Sequence, residues 1–143
     1  MLTGKAAGLR GARARAVLAP LGAAVAAGAA AAFVGVVDPN EPGHYPVCPF
    51  LTLTGFYCPG CGGLRAVHAL AHGDLVAALG FNPFVVVMVP VLAFLWGRWA
   101  LRSWQGRPFN GKAVHPAYVW LFLVLMIVFW IARNTPFGEF LAP

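Results

Sequence analysis

FNPFVVVMVPVLAFLWG, residues Phe81 to Gly97, is the stretch on which the fold turns. Its 17 residues include no acidic or basic side chain. The run is too long for an ordinary strand. As a helix rising 1.5 Å per residue it needs only a few flanking residues to cross a hydrocarbon core about 30 Å thick. Asn82-Pro83 supplies a helix start, because a proline at the first helical position lacks only an N–H that has no partner there anyway. Pro90 lies inside the run and predicts a kink. Two further stretches are equally free of charge: Val17 to Val37, with 21 residues, and Ala117 to Ala132, with 16, the latter opening after His115-Pro116. Trp96, Trp99 and Trp104 cluster at one end of the middle span, and Tyr118 and Trp120 open the next. That placement matches an aromatic belt at one membrane face.

Composition points the same way. Of 143 residues, 60% are hydrophobic and only 10% charged, against about 25% charged in an ordinary soluble domain. The mean hydropathy is +0.75. A chain this small cannot hide so much apolar surface from water, which excludes a disordered chain, a nucleic-acid-binding domain and a free soluble enzyme. The expectation is an all-α integral membrane protein with three transmembrane helices and a Cys-bearing interfacial or re-entrant helical segment.

The net charge of +6 is distributed by loop. Lys5, Arg10, Arg13 and Arg15 precede the first span with no acid among them, and Arg98, Arg102, Arg107 and Lys112 separate the second span from the third. The intervening segment holds Asp38, Glu41 and Asp74 against Arg65, and the tail balances Arg133 with Glu139. Cationic loops stay on the cytoplasmic side. The resulting arrangement is a basic cytoplasmic N-terminus (1–16), a first span (17–37), an outward Cys-rich segment (38–80), a second span (81–101), a basic cytoplasmic loop (102–115), a third span (116–133) and an outward tail (134–143). Residues 1–32 also resemble a secretory signal with Ala-rich positions near Ala30 to Ala32. Their apolar run exceeds the usual length of about 7–15 residues, which favours a retained anchor. Ala24, Gly28 and Ala32 recur at every fourth position, a spacing that admits close approach of another helix.

The chemistry is concentrated between the first two spans. All three cysteines lie there, Cys48, Cys58 and Cys61, within C-P-F-L-T-L-T-G-F-Y-C-P-G-C-G-G from Cys48 to Gly63. A helix is expected from Leu64 to about His72, closed by Gly73, and Asp74 N-caps a shorter one over Leu75 to Leu79. At 100° per residue Leu64, Val67 and Ala71 share one face, whereas Arg65, His68 and His72 share another, so this helix suits the membrane interface.

Three readings of the cysteines stand side by side. In the first, Cys58-Pro59-Gly60-Cys61-Gly62 is the turn of a zinc knuckle, with Cys48 as third ligand and His44, His68 or His72 as fourth. In the second, a C-P-x-C pair ahead of a helix gains thiolate character from the helix N-terminus and Arg65, with Cys48 as resolving thiol. In the third, one disulfide staples the segment and the remaining thiol is inert. Arg133-Asn134 ends the third span on the side where cations are less expected. It either pairs with Asp74 or Glu139 and docks the tail beneath the Cys segment, or it binds a lipid headgroup, as Arg65 also could. No catalytic serine set, phosphate loop or zinc-protease helix motif is present, and no charge lies within a span.

From Cys48 to Pro83 the chain resembles a family of small, mostly bacterial membrane proteins catalogued as a domain of unknown function. The resemblance rests on Cys48-Pro49-Phe50, Thr54-Gly55, Cys58-Pro59-Gly60-Cys61-Gly62, Leu64-Arg65-Ala66, Gly73-Asp74 and Asn82-Pro83, with Arg133-Asn134 after the last span. The family's usual Thr before the arginine is Leu64 here. The resemblance implies an integral membrane protein with a Cys-bearing segment and carries no activity; turn and cap chemistry makes Gly62, Gly73, Asp74, Asn82 and Pro83 structural. The expected role is therefore that of a non-enzymatic accessory or scaffold whose partners are membrane lipids, another membrane protein or a second copy. A thiol–disulfide oxidoreductase and a lipid-headgroup binder are the alternatives.

Overall fold

Helix-starting side chains set the element boundaries. Asn82 accepts the Val85 N–H at 3.1 Å, with Pro83 in the first turn. His115 Nδ1 accepts the Ala117 N–H at 3.3 Å ahead of Pro116, and Asp74 accepts the Ala77 N–H at 2.8 Å. Each satisfies a backbone donor that the first helical turn leaves without a partner. The structure, a computed structural model, describes residues 2–107 and 115–143, with side chains from residue 15 onward. Expectations resting on the side chains of Lys5, Arg10, Arg13 and Lys112 fall outside the described residues.

Six α-helices follow one another: α1 (Leu2–Val36), α2 (Pro49–Thr54), α3 (Gly63–Ala71), α4 (Leu75–Phe81), α5 (Pro83–Trp104) and α6 (Pro116–Arg133). A 3₁₀ segment, Pro136–Leu141, ends the chain. No strand occurs among the described residues. Three stretches are long and apolar enough to cross a membrane: Arg15–Val36, Pro83–Trp104 and Pro116–Arg133. The protein is thus an all-α, multi-pass membrane protein. Large apolar side chains remain exposed along all three, among them Val25, Phe94 and Leu125, as expected of helices solvated by lipid.

The segment expected to be a basic tail before the first span is helical from Leu2 and continuous with it. Within the stripe of Ala24, Gly28 and Ala32, Gly28 and Ala32 are exposed, and nothing lies within 4 Å of a Cβ placed at Gly28. Contact is made instead at Pro20, which is fully buried and whose carbonyl accepts the Trp96 Nε1–H from α5 at 2.9 Å. Farther along, a Cβ at Gly35 would lie 3.3 Å from the Ala71 side chain of α3.

At one end of the spans, α3 and α4 fold back on each other over the start of α5. The alanines Ala66, Ala69 and Ala78 are buried at the contact, backed by Leu70, Phe81, Val85 and Val86. Small side chains allow the short helices to approach closely, and Gly73, at φ +78°, makes the reversal between them. Phe84 stacks on Phe129 of α6 at 5.4 Å, and Phe50 of α2 meets Trp130 edge-on at 5.5 Å. These contacts bring the C-terminal end of α6 to the Cys-bearing segment.

Candidate functional site

The three cysteines converge although nine residues lie between Cys48 and Cys58. Cys48 stands just before α2, with Pro49 in the first helical turn. α2 closes at Gly55, φ +75°, and sends the chain back. Cys58 and Cys61 occupy a tight turn in which the Cys61 N–H donates to the Cys58 carbonyl at 3.2 Å and the Gly63 N–H to the Gly60 carbonyl at 2.9 Å. Gly62, at φ +76°, then starts α3. A Cβ there would press on the Phe81 carbonyl and on Pro143. The Sγ atoms of Cys48 and Cys58 lie 3.6 Å apart, and those of Cys58 and Cys61 3.3 Å apart. All three fall within 4.8 Å of one another. The Cys58 N–H donates to the Cys61 sulfur at 3.3 Å.

Side chains from elsewhere hold this turn by its backbone. Asn82, fully buried, donates from Nδ2 to the carbonyls of Pro59 and Cys61, both at 3.0 Å, while its Oδ1 caps α5. Asn134 accepts the Tyr57 N–H at 2.8 Å and donates to the Tyr57 carbonyl at 2.9 Å, as a neighbouring strand would. Arg133 is 2% exposed. Its Nη1 donates to the Cys58 carbonyl at 2.9 Å and the Cys61 carbonyl at 3.2 Å, and its Nη2 to Cys61 and, at 3.0 Å, to Leu141 of the tail. The guanidinium also lies 5.0 Å from the Phe129 ring centre. Hydrogen bonds from a charged donor are worth about 1.5–3 kcal/mol each, so one arginine serving several carbonyls is a large local contribution.

The thiols are not equivalent. The Leu51 backbone N–H, followed by the neighbouring sulfurs against some desolvation, holds the Cys48 thiol below its ordinary range. Burial pushes the Cys61 thiol up to about 12, with the Cys58 and Cys48 sulfurs adding to the shift.

No histidine joins the sulfurs among the described residues. His44 faces Glu41 at 3.4 Å. His68 donates from Nδ1 to the Val34 carbonyl at 2.8 Å, satisfying an end group of α1, and its Nε2 lies 3.8 Å from Asp38. The His72 ring lies tilted against that of His68, with centres 4.4 Å apart. Arg65 is exposed, 6.0 Å above the Phe81 ring. Neither it nor Arg133 pairs with Asp74 or Glu139 among the described residues, contrary to the expectation of an ion pair at the tail. The physical reason lies in the turn: it uses its own N–H groups internally and leaves carbonyls facing Arg133, while Asp74 is occupied as a cap. The arginine nonetheless joins the tail to the Cys segment, through Leu141.

Three features were not read from the residue pattern. Asn82 acts as clamp as well as cap, and nothing local announces that second role. Gly138 admits the tail against α6, since a Cβ there would collide with the Ala132 carbonyl. Trp96 reaches Pro20 rather than serving only in the aromatic belt.

Fold and site together define a three-span membrane protein that carries a clamped three-thiol segment at one end of its helices. Residues 48–96 match a family model described as "Protein of unknown function (DUF2752)", which runs from the first cysteine into α5. No curated protein and no solved structure matches the chain.

Proposed function

We propose that this chain is a non-enzymatic accessory or scaffold protein of the cell membrane. Its sulfur-fixed Cys segment faces outward and presents a rigid platform to a partner protein or to lipid. The observation that carries this reading is the clamp: Asn82, Arg133 and Asn134, from two distant helix ends, hold the backbone of the turn bearing Cys58 and Cys61. Side chains spent on immobilising a loop favour presentation over turnover. The Arg and Lys residues that precede the first apolar stretch and those between the second and third support an N-terminus in the cytoplasm with the Cys segment and C-terminus outside.

The second reading, a thiol–disulfide oxidoreductase, is favoured by the 3.3 Å separation of the Cys58 and Cys61 sulfurs. Against it, Cys61 is buried and its thiol is shifted upward, the wrong direction for an attacking thiolate. Lipid-headgroup binding rests on Arg65 alone, since Arg133 is enclosed.

The test is differential thiol alkylation followed by intact-protein mass spectrometry, on cells held under reducing and oxidising conditions. A platform gives one invariant sulfur state, and Cys58→Ser lowers abundance or partner retention. Cysteines that cycle between states would overturn the platform in favour of the oxidoreductase. An impermeant label that reaches Cys48 only from the cytoplasm would overturn the orientation.

A further inference from the structure

The buried guanidinium of Arg133 lacks an anion. Every hydrogen-bond acceptor it uses is a neutral carbonyl, its Nε has no partner, and no carboxylate lies within ion-pair distance among the described residues. A cation removed from water is costly unless something nearby compensates its charge. Beside it lie the rings of Phe129 and Tyr57, which carry no net charge, and the cysteines whose carbonyls it holds.

From this juxtaposition we infer that Cys48, Cys58 and Cys61 form a binding site for a thiophilic d¹⁰ cation, zinc foremost, whose three-thiolate complex is the counter-ion of Arg133. The charges fit: three thiolates around a divalent ion carry one net negative charge, and the arginine carries one positive. A disulfide is neutral and leaves the arginine uncompensated. It also joins only two of three sulfurs that converge together, whereas a metal engages all of them.

The geometry agrees. Zinc–sulfur bonds of about 2.3 Å in a tetrahedron place sulfurs about 3.8 Å apart. The observed separations of 3.6 and 3.3 Å need an adjustment of a few tenths of an ångström. The Cys58 N–H directed at the Cys61 sulfur is a donor of the kind that stabilises a thiolate ligand. Clamping by Asn82 and Arg133 fixes the turn from behind, the outer-sphere support that metal ligands require. Three protein ligands leave one tetrahedral position for a donor from outside the cluster, which makes this a site with an exchangeable fourth ligand rather than a closed structural one.

This inference rests on the reading of the segment as a sulfur-fixed platform and specifies what fixes it. The test uses the full-length chain, purified in mild detergent without chelators and analysed for metal and free thiols in the same sample. About one zinc per chain is expected, with the three thiols protected from alkylation until a chelator is added. Exchange of zinc for cobalt should give a thiolate-to-cobalt charge-transfer band and the visible absorption of tetrahedral cobalt. Cys48→Ser, Cys58→Ser and Cys61→Ser should each abolish that band, and Arg133→Met should weaken metal retention against a chelator about 10-fold. The cobalt spectrum of the unaltered chain decides the matter even where a variant fails to accumulate. A chain with no zinc and a Cys58–Cys61 disulfide overturns the metal site and leaves the platform standing. A chain with no zinc and three freely alkylating thiols overturns both.

Discussion

The two ends of this molecule's organisation are the lipid-facing spans and the cap formed by α2, α3, α4 and the tail. Along the spans, side-chain identity is loosely constrained: no residue of α5 from Pro83 to Arg102 is buried, and Gly22, Gly28 and Gly97 have nothing within 4 Å of a Cβ position. In the cap, Ala66 and Ala78 are fully buried, and so is Asn82. The buried polar side chains there each serve more than one backbone group. Lipid solvates a helix without requiring particular neighbours, whereas a turned backbone near the membrane must have every N–H and C=O satisfied. Specificity therefore gathers where the chain stops being helical.

Glycine substitutions break that comparison most sharply. Gly62→Ala combines a left-handed backbone with a Cβ driven onto the Phe81 carbonyl and Pro143, and should cost about 3 kcal/mol or more. The expected outcome is rapid alkylation of Cys61 and a lowered melting temperature in detergent. Gly28→Ala, on the exposed face of α1, should leave both unchanged. If the two variants behave alike, the distinction between cap and span is wrong.

The clamp should rank next. Arg133→Met leaves the Leu141 carbonyl without a donor and takes one of two donors from each of the Cys58 and Cys61 carbonyls, a loss of about 3 kcal/mol, read as protease sensitivity of the tail with α6 still inserted. Asn82→Ala removes a helix cap and two further bonds, about 2 kcal/mol, detected as faster hydrogen exchange at residues 59–63 and at the start of α5. Within the spans, Trp96→Phe deletes the hydrogen bond to Pro20. It should cost about 1 kcal/mol or less and loosen α1 from α5 in cross-linking without exposing the thiols.

The smallest effect concerns pH. The Asn40 N–H holds the Asp38 carboxyl below its ordinary range, with smaller help from the Asn40 side chain and His68. A lowered carboxyl contributes stability that is present above the ordinary carboxylate range and is lost as pH falls through the lowered value. The Asp38 carboxyl resonance should titrate below that of an unstructured aspartate, and Asn40→Pro, which removes the N–H, should move it back up. An unshifted midpoint would show that this turn adds nothing to the join between α1 and α3.

Much of the fold was legible in the residues. Charge-free runs around Val25, Val87 and Leu125 could bury their apolar groups only in lipid, and Asp74, Asn82 and His115 announced helix starts through local chemistry that needs no distant partner. The cysteine spacing likewise confined the chemistry to one segment. The partners of Arg133 were not legible, because its acceptors in the Cys turn are backbone carbonyls more than seventy residues away, and every residue carries a carbonyl. The histidines illustrate the same limit. Their spacing on α3 put His68 and His72 on one face, yet which neighbour that face meets, Val34 and Asp38 rather than the sulfurs, depends on how α1 docks.

What the amino-acid sequence determined by itself was local: helices, caps, the number of spans and the segment holding the thiols, since each follows from near-neighbour patterns and transfer to lipid. Only the tertiary structure decided that three sulfurs meet and that a buried cation stands behind them. Those contacts join residues whose separation along the chain carries no periodic signal, and they exist only once the cap has closed over α5 and α6.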